Sequence, residues 1–224
     1  MGFSSEWEQR YAESTHLSVW PWSDVVSLVH RHCRHIIKEG GRVLELGCGA
    51  GANIPLFCSL GMEYFAIEGS PTIVTQLHER YPDWAGNIYA GDFTSYQPYG
   101  TEFDIVLDRA SLTHNNTESI KRALGLSQDS LKVGGYFIGV DWFSKSHSDF
   151  SGGELVDDEN TKTNHQVGQF VGTGNVHFSD EQHIRELFDD FEIVFLEEKQ
   201  SRRFEPQDNH LFASWNIVAR KRDE

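Results

Sequence analysis

From Asp24 to Lys38 the apolar residues Val25, Val26, Leu28, Val29, Cys33, Ile36 and Ile37 recur at helical spacing, with Ser23 or Asp24 placed to cap the first turn. Gly40 and Gly41 end that amphipathic helix and feed a short apolar strand over Arg42 to Leu46. The pattern then alternates. It predicts a helix over 52–60, a strand over 63–68, a helix over 71–80 with proline in its first turn, and a third strand near 87–90. A fourth strand over 103–107, a helix over 118–131 and a fifth strand over 135–140 follow. Such alternation through short connections is the pattern of a doubly wound parallel sheet, so the expected fold class is α/β and Rossmann-like.

The end of the chain changes character. Residues 179–188 predict a helix, with Ser179 as cap and Gln182 at the capping-box position, before strands over 191–196 and 212–218. No helix separates these two strands, so they must pair as a hairpin or nearly so, giving the sheet an antiparallel edge. The polar, glycine-containing segment 142–178 follows the fifth strand, which places it over the carboxyl ends of the strands, where open α/β sheets bind ligands. It is read as a substrate-side insertion. Residues 1–40 form a helical cap, and the whole of 1–224 reads as one domain.

Composition narrows the partners. The 224 residues are 38% hydrophobic and 12% aromatic, enough for a sizeable core, and 34 acids against 19 bases give a net charge of −15. A protein that grips a phosphate backbone shows a basic face, so nucleic acid is excluded as the expected partner. Cys33, Cys48 and Cys58 are odd in number and lack metal-ligand spacing, which suits a reducing compartment. Glu6, Glu8 and Arg10 stand where a signal peptide needs an apolar run, and no stretch approaches the ~18 apolar residues of a membrane span. A cytoplasmic protein with no membrane partner and a small-molecule acceptor is expected; a homodimer is left open.

The chemistry concentrates in Arg42 to Gly51, RVLELGCGAG, where the first strand breaks into three alternating glycines. Glycine there permits positive φ and a close approach of backbone to ligand. Gly47-x-Gly49-x-x-Ala52 satisfies the loose dinucleotide fingerprint, with Glu68 at about the spacing for a ribose diol, so an NAD-dependent oxidoreductase is one reading. A strand-to-helix turn with no ligand is another.

The full pattern resembles the class I S-adenosylmethionine-dependent methyltransferases. Glu45-Leu46-Gly47-Cys48-Gly49-Ala50-Gly51 matches their acidic-x-G-x-G-x-G motif, Glu68 in F-A-I-E-G-S their acid after strand two, and Asp92 in A-G-D-F their acid after strand three. The later F-D-I-V-L-D and L-K-V-G-G-Y-F strands match as well, so the resemblance covers about residues 42–141 and extends through the antiparallel end of the seven-stranded fold. It implies S-adenosyl-L-methionine as cofactor. Glu68, beside Gly69 and Ser70, would accept from both ribose hydroxyls. Asp92 would receive the adenine amino group with Phe93 against the ring. Gly47, Cys48, Gly49 and Gly51 would carry the methionine portion, and Glu45 would orient that loop or meet the cofactor's ammonium. Trp7-Glu8-Gln9-Arg10-Tyr11 resembles the W-x-x-x-Y segment that folds over the cofactor, with Arg10 and Tyr11 on its carboxylate.

For the reaction itself, Asp108 at the end of strand four and His114 beyond it are the expected catalytic residues, an imidazole being suited to proton removal near neutral pH. His177 and His210 are weaker candidates by the same argument. The Asn/Asp-Pro-Pro-aromatic motif of amide and nucleobase amino methyltransferases is absent after Asp108, which disfavours that acceptor class. Asp108 and Asp141 stand where catechol-type relatives hold magnesium, but Trp142 replaces the expected partner, so no metal is expected. His30-Arg31-His32-Cys33-Arg34-His35 reads as a solvated helix face rather than a zinc site. Acceptor recognition is assigned to the 142–178 insertion and to Trp20 and Trp22, with Ser201-Arg202-Arg203 as a site for an acceptor phosphate or carboxylate. A small-molecule methyltransferase favouring O- over N-methylation is the expectation; a catalytically silent cofactor-binding module is the alternative beside the oxidoreductase.

Overall fold

The computed structural model describes residues 5–12 and 18–222; residues 1–4 and 13–17 of the expected helical cap lie outside them. Seven helices, α1 (Ser5–Ala12), α2 (Ser23–His32), α3 (Arg34–Lys38), α4 (Ile54–Ser59), α5 (Pro71–Arg80), α6 (Thr117–Ser130) and α7 (Glu181–Leu187), occur among the described residues. They flank a sheet built from β1 (Arg42–Leu46), β2 (Glu63–Glu68), β3 (Ile88–Ala90), β4 (Phe103–Arg109), β5 (Leu131–Phe143), β9 (Phe191–Arg202) and β10 (Leu211–Lys221). Their order across the sheet is β3-β2-β1-β4-β5-β10-β9. Neighbours are parallel from β3 to β5, and β10 runs antiparallel to both β5 and β9.

Strand alternation sorts the core into two layers. On one face Val43, Tyr64, Ala66, Ile105, Leu107, Ile138 and Val140 pack with the buried sides of α2 to α5. On the other, Leu44, Leu46, Ile67, Val106 and Phe137 meet Ile120, Ala123 and Leu124 of α6 and Ile184 and Leu187 of α7. Each such aliphatic side chain contributes about 1.5–3 kcal/mol on full burial.

Two details differ from the sequence expectation. The first helix breaks at Cys33, whose φ of −113° leaves the helical region while its side chain is fully buried. The cap of α7 is Asp180, which accepts from the His183 amide at 2.9 Å, one residue beyond the expected Ser179. The antiparallel edge that the sequence predicts is the β9–β10 hairpin, with β10 inserted between β5 and β9 and β9 at the border. The side chains explain this order, since 213–219 are all buried whereas β9 exposes Glu192, Val194, Glu197 and most of its last residues. The insertion also holds structure of its own, a small sheet of β6 (Glu154–Val156), β7 (Asp158–Thr163) and β8 (Val176–His177). Beneath it, Phe143, Phe170, Val176 and Phe178 form a third apolar cluster.

Candidate active site

A cavity of about 550 Å³, within the range of small-ligand pockets, opens at the carboxyl ends of β1, β2 and β4. Its cofactor-facing half is built by the glycine turn. The chain leaves β1 with Gly47 at φ +65°, and a Cβ there would come within 2.6 Å of Ser111 Oγ, so only glycine lets β1 and the β4 loop close on each other. Gly47, Cys48 and Gly49 line the cavity together with Glu45, Glu68, Asp92 and Phe93.

Glu68, at the end of β2, is almost wholly buried; it accepts the Gly49 amide at 2.8 Å and the Ser70 amide at 2.9 Å. It therefore braces the turn while lining the pocket, and a carboxylate has lone pairs for further donors. Burial raises its pKa against those amide bonds. Glu45 accepts from Asn53 Nδ2 at 2.8 Å and from the Tyr64 hydroxyl at 2.6 Å, and burial pushes it up to about 7. Asp92 Oδ1 takes both the amide and the hydroxyl of Thr94, at 2.9 and 2.7 Å. Three carboxyl groups around one glycine turn suit a ligand that carries positive charge, and they oppose a pyrophosphate, which a dinucleotide would place here.

Helix α1 lies over this half. Glu8 is bonded to the Ser70 and Thr72 hydroxyls at the start of α5, and Arg10 to the carbonyls of Val171 and Gly172 in the insertion. Trp7 and Tyr11 consequently face the cavity, with Tyr11 9% exposed and a Cβ on Gly49 placed 3.0 Å from its hydroxyl. Burial and the nearby Glu68 raise the Tyr11 pKa, keeping the phenol a donor.

Several expected site residues do not face the cavity. Arg10 spends its guanidinium on the insertion carbonyls instead of a cofactor carboxylate. Gly51 serves packing: a Cβ at its φ of +81° would lie 2.7 Å from Leu77 and 2.8 Å from Ile54. Ser70 is fully buried and caps α5, accepting from Ile73 at 3.2 Å, and the Gly69 amide turns to Glu68. The largest correction is Asp108. It is fully buried and bonded to Ser111 Oγ, to the Leu112 amide at 3.0 Å and to the Trp142 indole at 2.7 Å, away from the cavity lining. Burial lifts it to about 6, but its role is to hold the turn after β4 against β5. Asp141 is equally committed, to Arg109 at 3.1 Å and Ser214 at 3.2 Å, so the two carboxylates do not form a magnesium site.

His114 does line the cavity. Its Nδ1 lies 3.0 Å from the Asn175 carbonyl, which fixes the proton on Nδ1 and the lone pair on Nε2. The ring stands edge-on to Trp7, with centroids 4.8 Å apart, and to Phe143 at 6.0 Å. It thus joins the glycine-turn half to a second half walled by Trp22, Phe143, Phe170 and Phe212, with polar groups from Arg109, Asn115, Gln169 and Thr173. Arg109 stacks on Trp22 at 3.7 Å from the ring centroid. Of the aromatic pair expected at the acceptor, Trp22 is present and Trp20 is 73% exposed outside it. His177 is buried against His183 at 3.1 Å, and Arg202 and Arg203 are exposed on the β9–β10 hairpin, so neither set reaches this cavity. The second-half residues come from four separate segments, and no local spacing in the sequence connects them.

A family model described as a methyltransferase domain matches residues 43–135. Among solved structures, a S-adenosylmethionine-dependent methyltransferase from Methanosarcina mazei is similar at 18% identity and TM-score 0.65, covering 86% of this chain and 97% of its own. The N-methyltransferase NodS from Bradyrhizobium japonicum, solved with S-adenosyl-l-homocysteine, is similar at 14% identity and TM-score 0.63, covering 98% and 100%. The 1,6-didemethyltoxoflavin-N1-methyltransferase of Burkholderia thailandensis is similar at 17% and 0.63, covering 98% and 85%. No curated protein matches the chain in sequence. The matched segment holds the glycine turn, Glu68, Asp92 and β4, and the seven-stranded order with its antiparallel β10 completes the fold around them: residues 43–135 are similar to a methyltransferase domain, and the fold is the one shared by the S-adenosylmethionine-dependent methyltransferases above.

Proposed function

We propose that this chain transfers a methyl group from S-adenosyl-L-methionine to a small-molecule acceptor, a hydroxyl in preference to an amine, with His114 as the base. The observation that carries this reading is the place of His114, on the wall between the carboxylate-lined half of the cavity and the aromatic half, with its tautomer set by Asn175. The carboxylates fit the cofactor by charge: Glu68 would hold the ribose, Asp92 the adenine amino group, and Gly47, Cys48 and Gly49 the methionine portion, with Tyr11 above it. Glu45 acts one step back, by fixing the turn through Asn53 and Tyr64.

The cofactor supplies a methyl group on a positively charged sulfur, and that charge disappears on transfer. The protein's contribution is alignment and exclusion of water. Trp7, Phe143 and Phe170 wall the junction of the two halves, and α1 closes over it. His114 Nε2 accepts the proton of the acceptor hydroxyl, and the Asn175 carbonyl stabilises the resulting imidazolium through Nδ1. Two of the structural relatives are N-methyltransferases, so an amine is the second reading.

Calorimetry with S-adenosylhomocysteine and NAD⁺ side by side tests the cofactor; binding of NAD⁺ alone overturns the assignment. Methyl transfer from labelled cofactor into metabolite extracts tests the acceptor. Label recovered on nitrogen replaces the hydroxyl reading, and no transfer to any extract supports a silent binding module.

A further inference from the structure

Away from the glycine turn, three metal-ligating side chains converge where the insertion meets the β9–β10 hairpin. His147 follows β5, Asp149 lies in the short 3-10 turn 148–151, and His210 immediately precedes β10; one donor atom from each lies within 4.8 Å of the others. His210 Nε2 is 3.4 Å from Asp149 Oδ1, and the two imidazole rings meet edge-on with centroids 5.0 Å apart. We propose that His147, Asp149 and His210 form a binding site for a divalent transition ion of the zinc type.

The donor set defines the class of ion. Two imidazoles and one carboxylate suit zinc, cobalt or nickel, whereas magnesium and calcium take oxygen ligands. His147 is 2% exposed, so its ring is held in place by the side chains around it. Its two nitrogens are already distinguished. Nε2 contacts the Gln169 side-chain amide at 3.1 Å, and Nδ1 accepts the Asp149 amide at 3.0 Å. An ion on Nδ1 exchanges one backbone hydrogen bond and leaves Nε2–H beside the Gln169 side-chain amide, whose oxygen can accept it and so fix the ring. The Asp149 carboxylate is held in place from its other oxygen, Oδ2, by the Gln169 amide at 3.2 Å.

Zinc ligands stand about 2.0–2.2 Å from the ion, so the three donors must draw together by roughly 1 Å. His210 is free to do so, since its side chain is 35% exposed at the end of the exposed 203–209 turn. A third imidazole is close by. His165 packs on the same Phe170 and Phe178 rings as His147, and its buried Nε2 has no hydrogen-bond partner among the described residues. An ion here would clamp residues 147–149 to residue 210, tying the insertion to the strand that carries Phe212. The ion's role is to hold that wall, and no step of methyl transfer passes through it.

The test uses the full chain, stripped with chelator and titrated calorimetrically with Zn²⁺, then with Mg²⁺. The expected result is one Zn²⁺ per chain at micromolar Kd or tighter and no saturable Mg²⁺ binding. At free Zn²⁺ one hundred-fold above Kd, Tm should rise by about 5–10 °C. His210→Ala, at a half-exposed position, and the near-isosteric Asp149→Asn should each weaken Zn²⁺ at least tenfold while leaving S-adenosylhomocysteine affinity unchanged. His30→Ala/His35→Ala, in the exposed histidine run, should leave Zn²⁺ binding intact. Absence of saturable Zn²⁺ binding, its persistence in both cluster variants, or its loss in the His30/His35 variant overturns the proposal.

Discussion

Glu68→Gln separates the two duties that the structure gives one carboxylate. In the folded chain Glu68 accepts the Gly49 amide at 2.8 Å and the Ser70 amide at 2.9 Å while lining the cavity. Glutamine keeps one acceptor oxygen and turns an NH₂ toward the other amide, leaving one buried N–H facing a donor at a cost of about 1–3 kcal/mol. Burial already disfavours the carboxylate charge, as its raised pKa shows, and removing that charge offsets part of the loss. The net expected for ligand-free protein is therefore about 1–2 kcal/mol, a fall in Tm of about 2–8 °C. Cofactor affinity should fall further. A hydrogen bond from a ribose hydroxyl to a charged acceptor contributes about 1.5–3 kcal/mol, so losing one predicts a tenfold to hundredfold rise in Kd for S-adenosylhomocysteine. Thermal melts and calorimetry on the same preparations read the two effects separately. A lowered Tm with unchanged Kd would refute the ribose role; a raised Kd with unchanged Tm would refute the bracing role.

Three other substitutions probe the remaining assignments. Glu45 holds its proton in the folded state up to about 7, against an ordinary carboxylate value in the unfolded chain, so its contribution to stability is complete below pH ~4.5 and is lost as pH rises toward 7. Wild type should lose up to about 1.4 kcal/mol per pH unit relative to Glu45→Gln across that window, measured by denaturant unfolding at pH 5 and 7.5; parallel curves would dismiss the buried acid. Gly51→Ala meets both the positive φ and the contacts to Leu77 and Ile54, and should cost about 2–4 kcal/mol in denaturant unfolding; a change below about 1 kcal/mol would mean that α4 and α5 can separate without penalty. His114→Gln should lower turnover about 10²-fold with S-adenosylhomocysteine affinity intact, and full activity in that variant would leave alignment alone as the mechanism.

The parallel half of the molecule was legible because each of its signals is local. The β1 run, the glycines after it and the acids closing β2 and β3 sit within a few residues of one another, and β1, β2 and α5 have the bounds that their patterns predict. Asp108 was misread because sequence places a residue at a strand end without saying which way it turns. Here the Trp142 indole and the Ser111 hydroxyl draw the carboxylate inward. The partners of Arg10 were hidden for a similar reason: Val171 and Gly172 lie 161 and 162 residues away. The inner position of β10 agrees with composition, since residues 213–219 carry no charge while β9 carries Glu192, Glu197, Glu198 and Lys199.

The family match holds most of the glycine-turn half of the cavity and little of the other half. Residues 43–135 contain Glu45, Gly47, Gly49, Glu68 and Asp92, at or just after the carboxyl ends of parallel strands, where the strand register and the missing Cβ of Gly47 set the shape of the turn. The second half draws mostly on residues outside that segment: Trp22 before it, and after it Phe143 at the end of β5, Gln169, Phe170 and Thr173 in the insertion, and Phe212 on β10. Those after it are held by an aromatic cluster and by the side-chain bonds of His147, not by the parallel sheet. The second half can therefore change side chains without moving the glycine turn that Glu68 braces. His114 stands at the seam, on a turn pinned to β4 through Asp108 and to the insertion through Asn175. A base in that position keeps its alignment to the cofactor half whichever acceptor the other half selects.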